Sequence, residues 1–423
     1  MIGVLRKHPG ILLLTVICVL GAGVVLAHRS GSVKIPKTAL SSHRPSAKAH
    51  NLNRLTQLDL SRARPQGGRL QQRLEDGTTL TYTLVPELQT KMSAYFQRNE
   101  VPYAAAVAYR VDNGELLLMV GTSARDKKLD SAQLCLKPWA PAASIFKLVT
   151  VAGLLNQGVP STTSVCYHGG FRGLRAQHLE DNPRLDTTCR TLSDALAKSI
   201  NPIVGKLALR YLNRGSMLSW AERFGFNKSV PFELPVEPSR AQIPSNKVER
   251  ARTAAGFWHT ELSVLHGAAL AGVPATGGLL AWPHLVRSMK TPDGKTITPP
   301  KPDRRRVMGR RAARDLAQMM ARTTTMGTGR RGFISRRGKP FLGDMRVAGK
   351  TGSLSRKKPF LHYSWFVGFA PADKPEIAFA VLLGNPARWR IKASTAARVL
   401  LQSYVAHKAK TRKIRSRKQS PRG

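Results

Sequence analysis

Acidic side chains are scarce in this chain of 423 residues, which has 24 Asp and Glu against 68 Lys and Arg and a formal net charge of +44. So large a positive charge favours a polyanionic partner such as nucleic acid or an anionic membrane. The sequence lacks zinc-finger spacing, an RNA-recognition signature and any other nucleic-acid-binding module, so we expect no nucleic-acid partner. We attribute most of the charge to a compositional bias toward arginine along the whole chain.

Cysteine is also rare, with four residues, and no internal repeat is present. The four cysteines do not have the spacing of a structural zinc site, and we expect neither a metal nor another cofactor. The hydrophobic fraction of 42% is sufficient for one large domain or two of ordinary size.

One apolar run, residues 10–27, is long enough to cross a membrane. As a helix it spans about 27 Å, close to the ~30 Å hydrocarbon core of a bilayer. We predict that residues 1–9 are cytoplasmic, that residues 10–27 form a transmembrane anchor and that residues 28–66 form a flexible extracytoplasmic linker. A cleavage site ending at Ala27 leaves a cleaved signal peptide as the alternative. With the anchor retained, we expect a single-pass protein of the cell inner membrane whose main domain lies in the periplasm.

Regular secondary structure is predicted from Gly67 onward. Strands are predicted at residues 103–109, 115–120, 347–352, 363–369 and 377–383, and helices at residues 86–97, 191–211 and 393–406. The final segment, residues 408–423, is basic and contains no acidic residue, which predicts a disordered basic tail.

Ser144 and Lys147 lie three residues apart at the start of an apolar stretch of helical length. Pro141 suits the first turn of a helix, which places Ser144 in the opening turn and Lys147 one turn later on the same face. Because a buried unpaired charge is costly, a buried lysine lowers its pKa and becomes neutral. A neutral amine beside a serine hydroxyl is a base beside a nucleophile.

A second Ser-x-x-Lys pattern, at Ser355 and Lys358, shows that the pattern alone is weak. It lies in the polar segment Ser-Arg-Lys-Lys, where a lysine stays solvated and charged. We therefore assign chemistry to the buried copy at Ser144 and Lys147 and none to the exposed one.

Ser199 and Asn201 form a second motif, immediately before Pro202. The residue before a proline is pushed out of the helical region, so Asn201 lies at a break where side chains can face a cleft. A serine hydroxyl can relay a proton, and an asparagine amide can orient a lysine or a substrate carbonyl. On their own, a helix-capping serine and an Asn-Pro turn explain the same residues.

The third motif is Lys350, Thr351, Gly352 and Ser353, in a predicted strand region. The ammonium and the two hydroxyls are suited to binding a carboxylate, and a glycine lets a ligand or another backbone approach a strand closely. Taken alone, this motif is better explained as a surface β-turn.

The three motifs in this order resemble those of the penicillin-binding transpeptidase and serine β-lactamase superfamily. The resemblance covers roughly residues 67–407. Further stretches similar to the transpeptidase branch are residues 191–202, 254–263, 277–278, 327–329 and 364–371. The implied fold is α+β, an α/β sandwich whose central antiparallel β-sheet has helices on both faces, with an additional all-helical subdomain.

The resemblance also implies roles for the residues of the first two motifs. Ser144 is the nucleophile that becomes acylated, and Lys147 takes its proton. Ser199 passes that proton to the leaving amine. Asn201 holds Lys147 and the substrate amide.

The third motif is implied to bind the substrate. Lys350, Thr351, Gly352 and Ser353 hold its terminal carboxylate, and the N–H groups of Ser144 and Ser353 form the oxyanion hole. The implied reaction is peptidoglycan D,D-transpeptidation on stem peptides ending in D-Ala-D-Ala, with covalent inhibition by β-lactams. Besides these ligands, the inner membrane and other cell-wall synthesis proteins are the expected partners. The Glu-Asp-x-x-Phe signature of a glycosyltransferase domain is absent, which indicates a monofunctional form.

Several other functions are compatible with the same fold. A D,D-carboxypeptidase differs only in using water as the acceptor. A β-lactamase needs a deacylating base, and the sequence has no Glu-x-x-Leu-Asn stretch after Asn201; Glu233 and Glu237 do not match it. A β-lactam sensor is disfavoured by the lack of a His-Glu-x-x-His motif, and a non-catalytic scaffold by the intact three motifs.

Cys166 and Cys189 are predicted to form a disulfide, because an extracytoplasmic domain permits oxidation and the segment between them is rich in loop-forming residues. Cys18 lies in the predicted anchor, which leaves Cys135 as an odd, buried thiol. Pairing of Cys135 with one of the two is the alternative.

Overall fold

The structure, a computed structural model, describes residues 54–419. The predicted anchor, residues 10–27, and the predicted linker as far as residue 53 lie outside these residues. Between residues 54 and 419 no helix combines the length and the apolar character that crossing a bilayer requires.

The described residues form seventeen strands and eleven α-helices. The strands are β1 (Arg64–Gln66), β2 (Arg69–Arg73), β3 (Thr79–Tyr82), β4 (Tyr103–Arg110), β5 (Leu116–Thr122), β6 (Ala140–Pro141), β7 (Ser164–Tyr167), β8 (Thr188–Thr191), β9 (Arg240–Ala241), β10 (Thr260–Leu262), β11 (Leu279–Ala281), β12 (Val286–Lys290), β13 (Thr296–Ile297), β14 (Arg304–Arg306), β15 (Ala348–Arg356), β16 (Leu361–Ala370) and β17 (Ile377–Asn385). The helices are α1 (Pro86–Arg98), α2 (Ser131–Leu136), α3 (Lys147–Asn156), α4 (Leu192–Lys198), α5 (Asn201–Tyr211), α6 (Arg214–Arg223), α7 (Lys247–Ala254), α8 (Val264–Ala275), α9 (Arg310–Thr325), α10 (Arg330–Phe333) and α11 (Ala393–Gln419).

The central sheet is antiparallel and has the strand order β15-β16-β17-β4-β5. Successive side chains on a strand point to opposite faces, and both faces of this sheet are apolar. Val367, Ala380 and Val107 are aligned across three strands and belong to the core cluster that includes α8. Phe366 and Val381 belong to the cluster on the other face, with α1 and α11. Helices therefore cover both faces, and the predicted α+β fold is confirmed.

A helical subdomain stands on the α8 side of the sheet. Helices α3, α5 and α6 pack together through buried side chains that include Leu154, Leu207 and Trp220. A second five-stranded sheet, of order β1-β2-β3-β12-β13, completes the domain. Since β15 is an edge strand of the central sheet and packs beside the turn that precedes α3, a site can form between the sheet and the subdomain.

The prediction of a flexible linker as far as residue 66 is wrong for its last residues. A 3-10 turn covers Leu60–Arg62 and β1 pairs with β2. The Asp59 side chain caps the turn by accepting from the Ser61 N–H at 2.9 Å. Gln72 accepts a hydrogen bond from the Asp59 N–H at 3.0 Å. The segment also packs against the main core through four partly buried side chains, those of Leu55, Leu58, Leu60 and Ala63. Apolar contacts and polar side chains that satisfy the backbone therefore order it together.

The prediction of a disordered tail over residues 408–423 is wrong as far as residue 419, because α11 continues to Gln419; residues 420–423 lie outside the described residues. Lys and Arg favour helix nearly as well as alanine, so the basic segment extends a helix whose first turns are packed on the sheet. Lys408 pairs with Glu376 at 2.6 Å, and this contact holds the first turn of the basic segment.

Candidate active site

Ser144 lies in a 3-10 turn, Ala143–Ile145, that leads into α3. The expectation that Pro141 begins the helix is wrong, because Pro141 belongs to β6. Its carbonyl accepts a hydrogen bond from Trp365 Nε1 at 2.9 Å. The strand contact fixes the start of the turn, and Ser144 still precedes Lys147 by one helical turn.

Two glycines allow the neighbouring segments to close over this turn. Gly256 has φ of +82°, and a Cβ there would lie 2.1 Å from the carbonyl oxygen of Ala143. A Cβ on Gly352 of β15 would lie 3.2 Å from Ile145 Cγ1. Ala143 itself has a left-handed φ of 48°, which is uncommon outside glycine. The turn that carries Ser144 is thus held in a strained form by its surroundings.

Lys147 is fully buried, and its Nζ contacts three oxygen atoms. Nζ lies 2.9 Å from Ser144 Oγ and 2.7 Å from Asn201 Oδ1, and it also bonds to the carbonyl of Ala255. A neutral amine has two N–H bonds and one lone pair. With the two N–H bonds donated to the amide and carbonyl oxygens, which only accept, the lone pair faces the Ser144 hydroxyl.

The electrostatics favour this neutral state. Burial lowers the pKa of Lys147 well below its usual value, and the charge of Lys350 lowers it further. Burial also lowers the pKa of Lys350, to about 7. Because two ammonium groups in one dry site repel each other, the arrangement holds a base at Lys147 and a titrating cation at Lys350.

Ser199 links Ser144 to Lys350. It ends α4 in a left-handed conformation with φ of 57°. Its Oγ donates to Ser144 Oγ at 3.0 Å and accepts from Lys350 Nζ at 3.0 Å. The Ser199 hydroxyl therefore lies within proton-transfer distance of Ser144 Oγ and of Lys350 Nζ.

Asn201 begins α5, so the predicted helix break at Asn201 and Pro202 is confirmed. Its backbone N–H donates to the carbonyl of Phe171 at 2.9 Å. Its Nδ2 donates to the carbonyl of Arg172 at 2.7 Å. A carbonyl can only accept, so the amide oxygen must be the atom that faces Lys147.

The third motif lies within β15, on the free edge of the central sheet. Lys350 is fully buried, and Ser353 is exposed. The Thr351 hydroxyl bonds to that of Thr328. Half of the backbone groups of an edge strand point away from its neighbour, so β15 offers both side-chain and backbone groups to an extended ligand. The structure thus brings all three sequence motifs to one place.

The second Ser-x-x-Lys lies outside this cluster, at the tip of the β15–β16 hairpin. Ser355 Oγ bonds to His362 Nδ1 at 2.7 Å. Lys358 is exposed. Its amine faces solvent, as we predicted, where a lysine stays charged.

Sequence reasoning missed three residues that complete the site. The carbonyl of Ala255 accepts from Lys147, and that of Arg172 accepts from Asn201. The Thr328 N–H donates at 3.0 Å to the carbonyl of Ala197, two residues before Ser199. Backbone carbonyls leave no residue-type signature in a sequence. Thr328 lies in a Gly-Thr-Gly stretch that marked the family resemblance, and this stretch was the available indication of a position near the site.

Cys166 and Cys189 are joined by a disulfide and lie opposite each other in the β7–β8 hairpin. Cys135 is a free, buried thiol. The pairing is the predicted one, and the alternative pairings of Cys135 are wrong.

The glutamates considered as deacylating bases have other partners. Glu233 Oε1 accepts from the backbone N–H groups of Leu285 and Val286, and Glu237 pairs with Lys137 at 3.4 Å. Among the hydrogen bonds and ion pairs of the described residues, no carboxylate contacts Ser144, Lys147 or Ser199.

Proteins of similar sequence carry cell-wall names. The chain is 26% identical over 338 residues to stage V sporulation protein D of Bacillus subtilis, an alignment that covers 74% of this chain and 50% of the relative. It is 28% identical over 258 residues to peptidoglycan D,D-transpeptidase PbpA of Mycobacterium tuberculosis, covering 58% of this chain and 50% of the relative. The chain thus spans about half the length of these curated relatives.

Solved structures have the same fold as this chain, and its sequence matches a known family. The imipenem acyl-enzyme complex of penicillin-binding protein A from M. tuberculosis has a TM-score of 0.63 and 23% identity, covering 78% of this chain and 80% of that one. A D,D-transpeptidase domain from Eggerthella lenta has a TM-score of 0.65 and 22% identity, covering 83% and 91%. Residues 104–402 match the family described as the penicillin binding protein transpeptidase domain. With this match spanning most of its length, the chain belongs to the penicillin-binding protein transpeptidase family.

Proposed function

We propose that this protein is a serine D,D-transpeptidase that cross-links peptidoglycan stem peptides through an acyl-enzyme on Ser144. The observation that carries the proposal is the continuous hydrogen-bonded series from Lys147 through Ser144 and Ser199 to Lys350. It places a buried base, a nucleophile, a proton relay and a cation in one row.

Acylation begins when Ser144 Oγ attacks the carbonyl carbon of the penultimate D-Ala and its proton moves to Lys147 Nζ. The negative charge on the carbonyl oxygen is accepted by the N–H groups of Ser144 and Ser353. The C–N bond then breaks, and the proton taken up by Lys147 passes through the Ser199 hydroxyl to the departing D-Ala amine. Lys350, with the hydroxyls of Thr351 and Ser353, holds the terminal carboxylate of the substrate. Gly352 leaves room for the strand to approach the turn.

The second half-reaction transfers the acyl group to an amine. The acceptor amine attacks the ester carbonyl carbon, its proton returns through Lys147, and Ser144 Oγ leaves as a hydroxyl. Dividing one amide exchange into two acyl transfers requires no external energy source, which suits chemistry outside the cytoplasmic membrane.

Analysis of the reaction products shows whether the acyl acceptor is an amine or water. We expect the full-length protein, given a pentapeptide ending in D-Ala-D-Ala and a D-amino-acid acceptor, to release D-Ala and form the exchanged peptide, as measured by mass spectrometry. The Lys147→Ala variant is the matched inactive control. Release of D-Ala with the hydrolysed tetrapeptide alone would make the protein a carboxypeptidase. Labelling of Ser144 by penicillin without any turnover of peptide would favour the scaffold.

The two lowered lysine pKa values predict a bell-shaped pH dependence of acylation by a penicillin that carries a carboxylate. The rate falls at low pH as Lys147 is protonated, at a pH well below the usual lysine pKa. It falls again as pH rises above about 7, where Lys350 loses the charge that binds the carboxylate. In Lys350→Arg the alkaline fall should disappear, because arginine does not titrate in this range.

Stopped-flow measurement of acylation between about pH 5 and 10 tests this assignment. The methyl ester of the same penicillin is the control ligand, since it lacks the carboxylate and should show no alkaline fall. An unchanged alkaline limb in Lys350→Arg would assign that limb to another group.

The disulfide supports an extracytoplasmic location, because such bonds persist in oxidising compartments. We propose that the domain faces the periplasm, attached to the inner membrane through residues 10–27. β-Lactams and stem peptides are its proposed ligands, and cell-wall synthesis proteins its proposed partners.

A further inference from the structure

A buried charged cluster behind α5 has no role in the reaction described above. Lys206 is nearly inaccessible, with its residue 1% exposed. Its Nζ lies 2.7 Å from Asp186 Oδ2, and Asp186 Oδ1 lies 2.6 Å from His168 Nδ1. Buried charges are rare unless they are paired, and this pairing joins segments that are far apart in the sequence.

His168 is the first residue of the loop that holds Asn201. This loop, residues 168–175, supplies the carbonyls of Phe171 and Arg172, which accept from the backbone N–H and from Nδ2 of Asn201. The orientation of the Asn201 amide toward Lys147 therefore depends on where the loop backbone lies.

The same charged cluster also holds α5, the helix that carries Asn201. Lys206 lies on α5, five residues after Asn201, and its Nζ also donates to the carbonyl of Cys166 at 3.1 Å. Asp186 thus joins α5, through Lys206, to the loop, through His168. The helix that carries Asn201 and the loop that carries Arg172 are therefore both tied to the Asp186 carboxylate.

Asp186 is the buried acidic partner of Lys206, and the neighbouring acid cannot replace it. Burial alone would raise its pKa, but hydrogen bonds from Lys206 and His168 outweigh this and hold the pKa at about 2. The other acid beside Lys206 is Asp181, at 3.2 Å, whose side chain is 63% exposed. Removing the buried partner would leave the Lys206 ammonium largely uncompensated, which is strongly unfavourable.

We infer that Asp186, with Lys206 and His168, is a positioning residue for acylation: it fixes the loop that orients Asn201, and through Asn201 it keeps the lone pair of Lys147 on Ser144. The inference rests on the proposed function. It assigns no contact with substrate to any of the three residues. Misplacement of a catalytic group by about 1 Å lowers rates by up to roughly 100-fold, which sets the scale of the expected effect.

The test is a double-mutant cycle on the full-length chain, with the second-order rate constant of acylation by a fluorescent penicillin as the readout. We expect Asp186→Asn to lower this constant by roughly 10- to 100-fold. In the Asn201→Ala background the same substitution should have almost no further effect, because the group it positions is gone. A merely structural role would lower the constant by the same factor in both backgrounds, and that result would overturn the inference.

Two further variants make the result decisive. Asp181→Asn alters the exposed carboxylate beside Lys206 and leaves the loop contact intact, so we expect a change of less than about 3-fold. His168→Ala removes the donor that joins the loop to Asp186 while it preserves the ion pair with Lys206. If Asp186→Asn does not fold, the cycle is run with His168→Ala, and full additivity with Asn201→Ala refutes the inference. A wild-type chain that penicillin does not acylate would refute the proposed function instead.

Discussion

Ser144→Ala is expected to abolish covalent labelling by penicillin. The substitution removes Oγ, the atom that forms the ester, and leaves the buried lysines and the β15 edge in place. Loss of a serine nucleophile lowers rates by on the order of 10⁶, so no labelled band should be detectable over hours. Fluorescent penicillin, followed by gel analysis and peptide mass mapping of the labelled fragment, measures the result.

The chain provides its own control for this experiment. Ser355→Ala changes the serine of the second Ser-x-x-Lys, whose Oγ bonds to His362 and whose lysine is exposed. We expect labelling of this variant to equal that of the wild type. Labelling that survives in Ser144→Ala, or disappears in Ser355→Ala, would contradict the assignment of the nucleophile.

The local part of the site could be predicted from the sequence, for a physical reason. Residues three apart in a helical turn meet on one face, so the proximity of Ser144 and Lys147 followed from their spacing even though the helix begins later than expected. The neutrality of Lys147 followed from the apolar residues around it.

The long-range part could not be derived in this way. Ser199 and Lys350 are separated by 151 positions along the chain, and spacing alone does not bring them together. Only the order of the motifs, through the resemblance to a known family, indicated that they share a site. The carbonyl acceptors of Ala255 and Arg172 were not predictable by either route, because any residue type provides a backbone carbonyl.

The charged segments at the two ends of the domain show a different limit. Residues 54–66 and 408–419 have the composition of disordered chain, and both are ordered in the structure. Composition describes the average preference of a segment and omits specific contacts such as that between Lys408 and Glu376. Disorder was wrongly predicted because composition also omits the packing of the leucines of residues 54–66 on the core and the helix propensity of Lys and Arg in residues 408–419.

A long-lived penicilloyl adduct is the second large expected effect. Acylation uses the same Ser144 and Lys147 chemistry in a transpeptidase and in a β-lactamase, so only deacylation separates them. Fast hydrolysis needs a water molecule beside the ester and a base that activates it, and a general base contributes roughly 10²–10⁴ in rate. The structure provides no carboxylate for this role among the contacts of Ser144, Lys147 and Ser199 in residues 54–419. Glu249, on α7, is engaged with Arg252 and His259.

The remaining base, Lys147, is directed at Ser144 Oγ by its bonds to Asn201 and the Ala255 carbonyl, and no carboxylate of the described residues accompanies it to hold a water molecule beside the ester. We therefore expect deacylation to take minutes or longer after mixing with excess penicillin. Intact-mass spectrometry should show the adduct accumulating to nearly one per chain, with Ser144→Ala as the control that shows none. Rapid turnover of many penicillin molecules per chain, without a detectable adduct, would show that a water-activating base exists and that the protein acts as a β-lactamase.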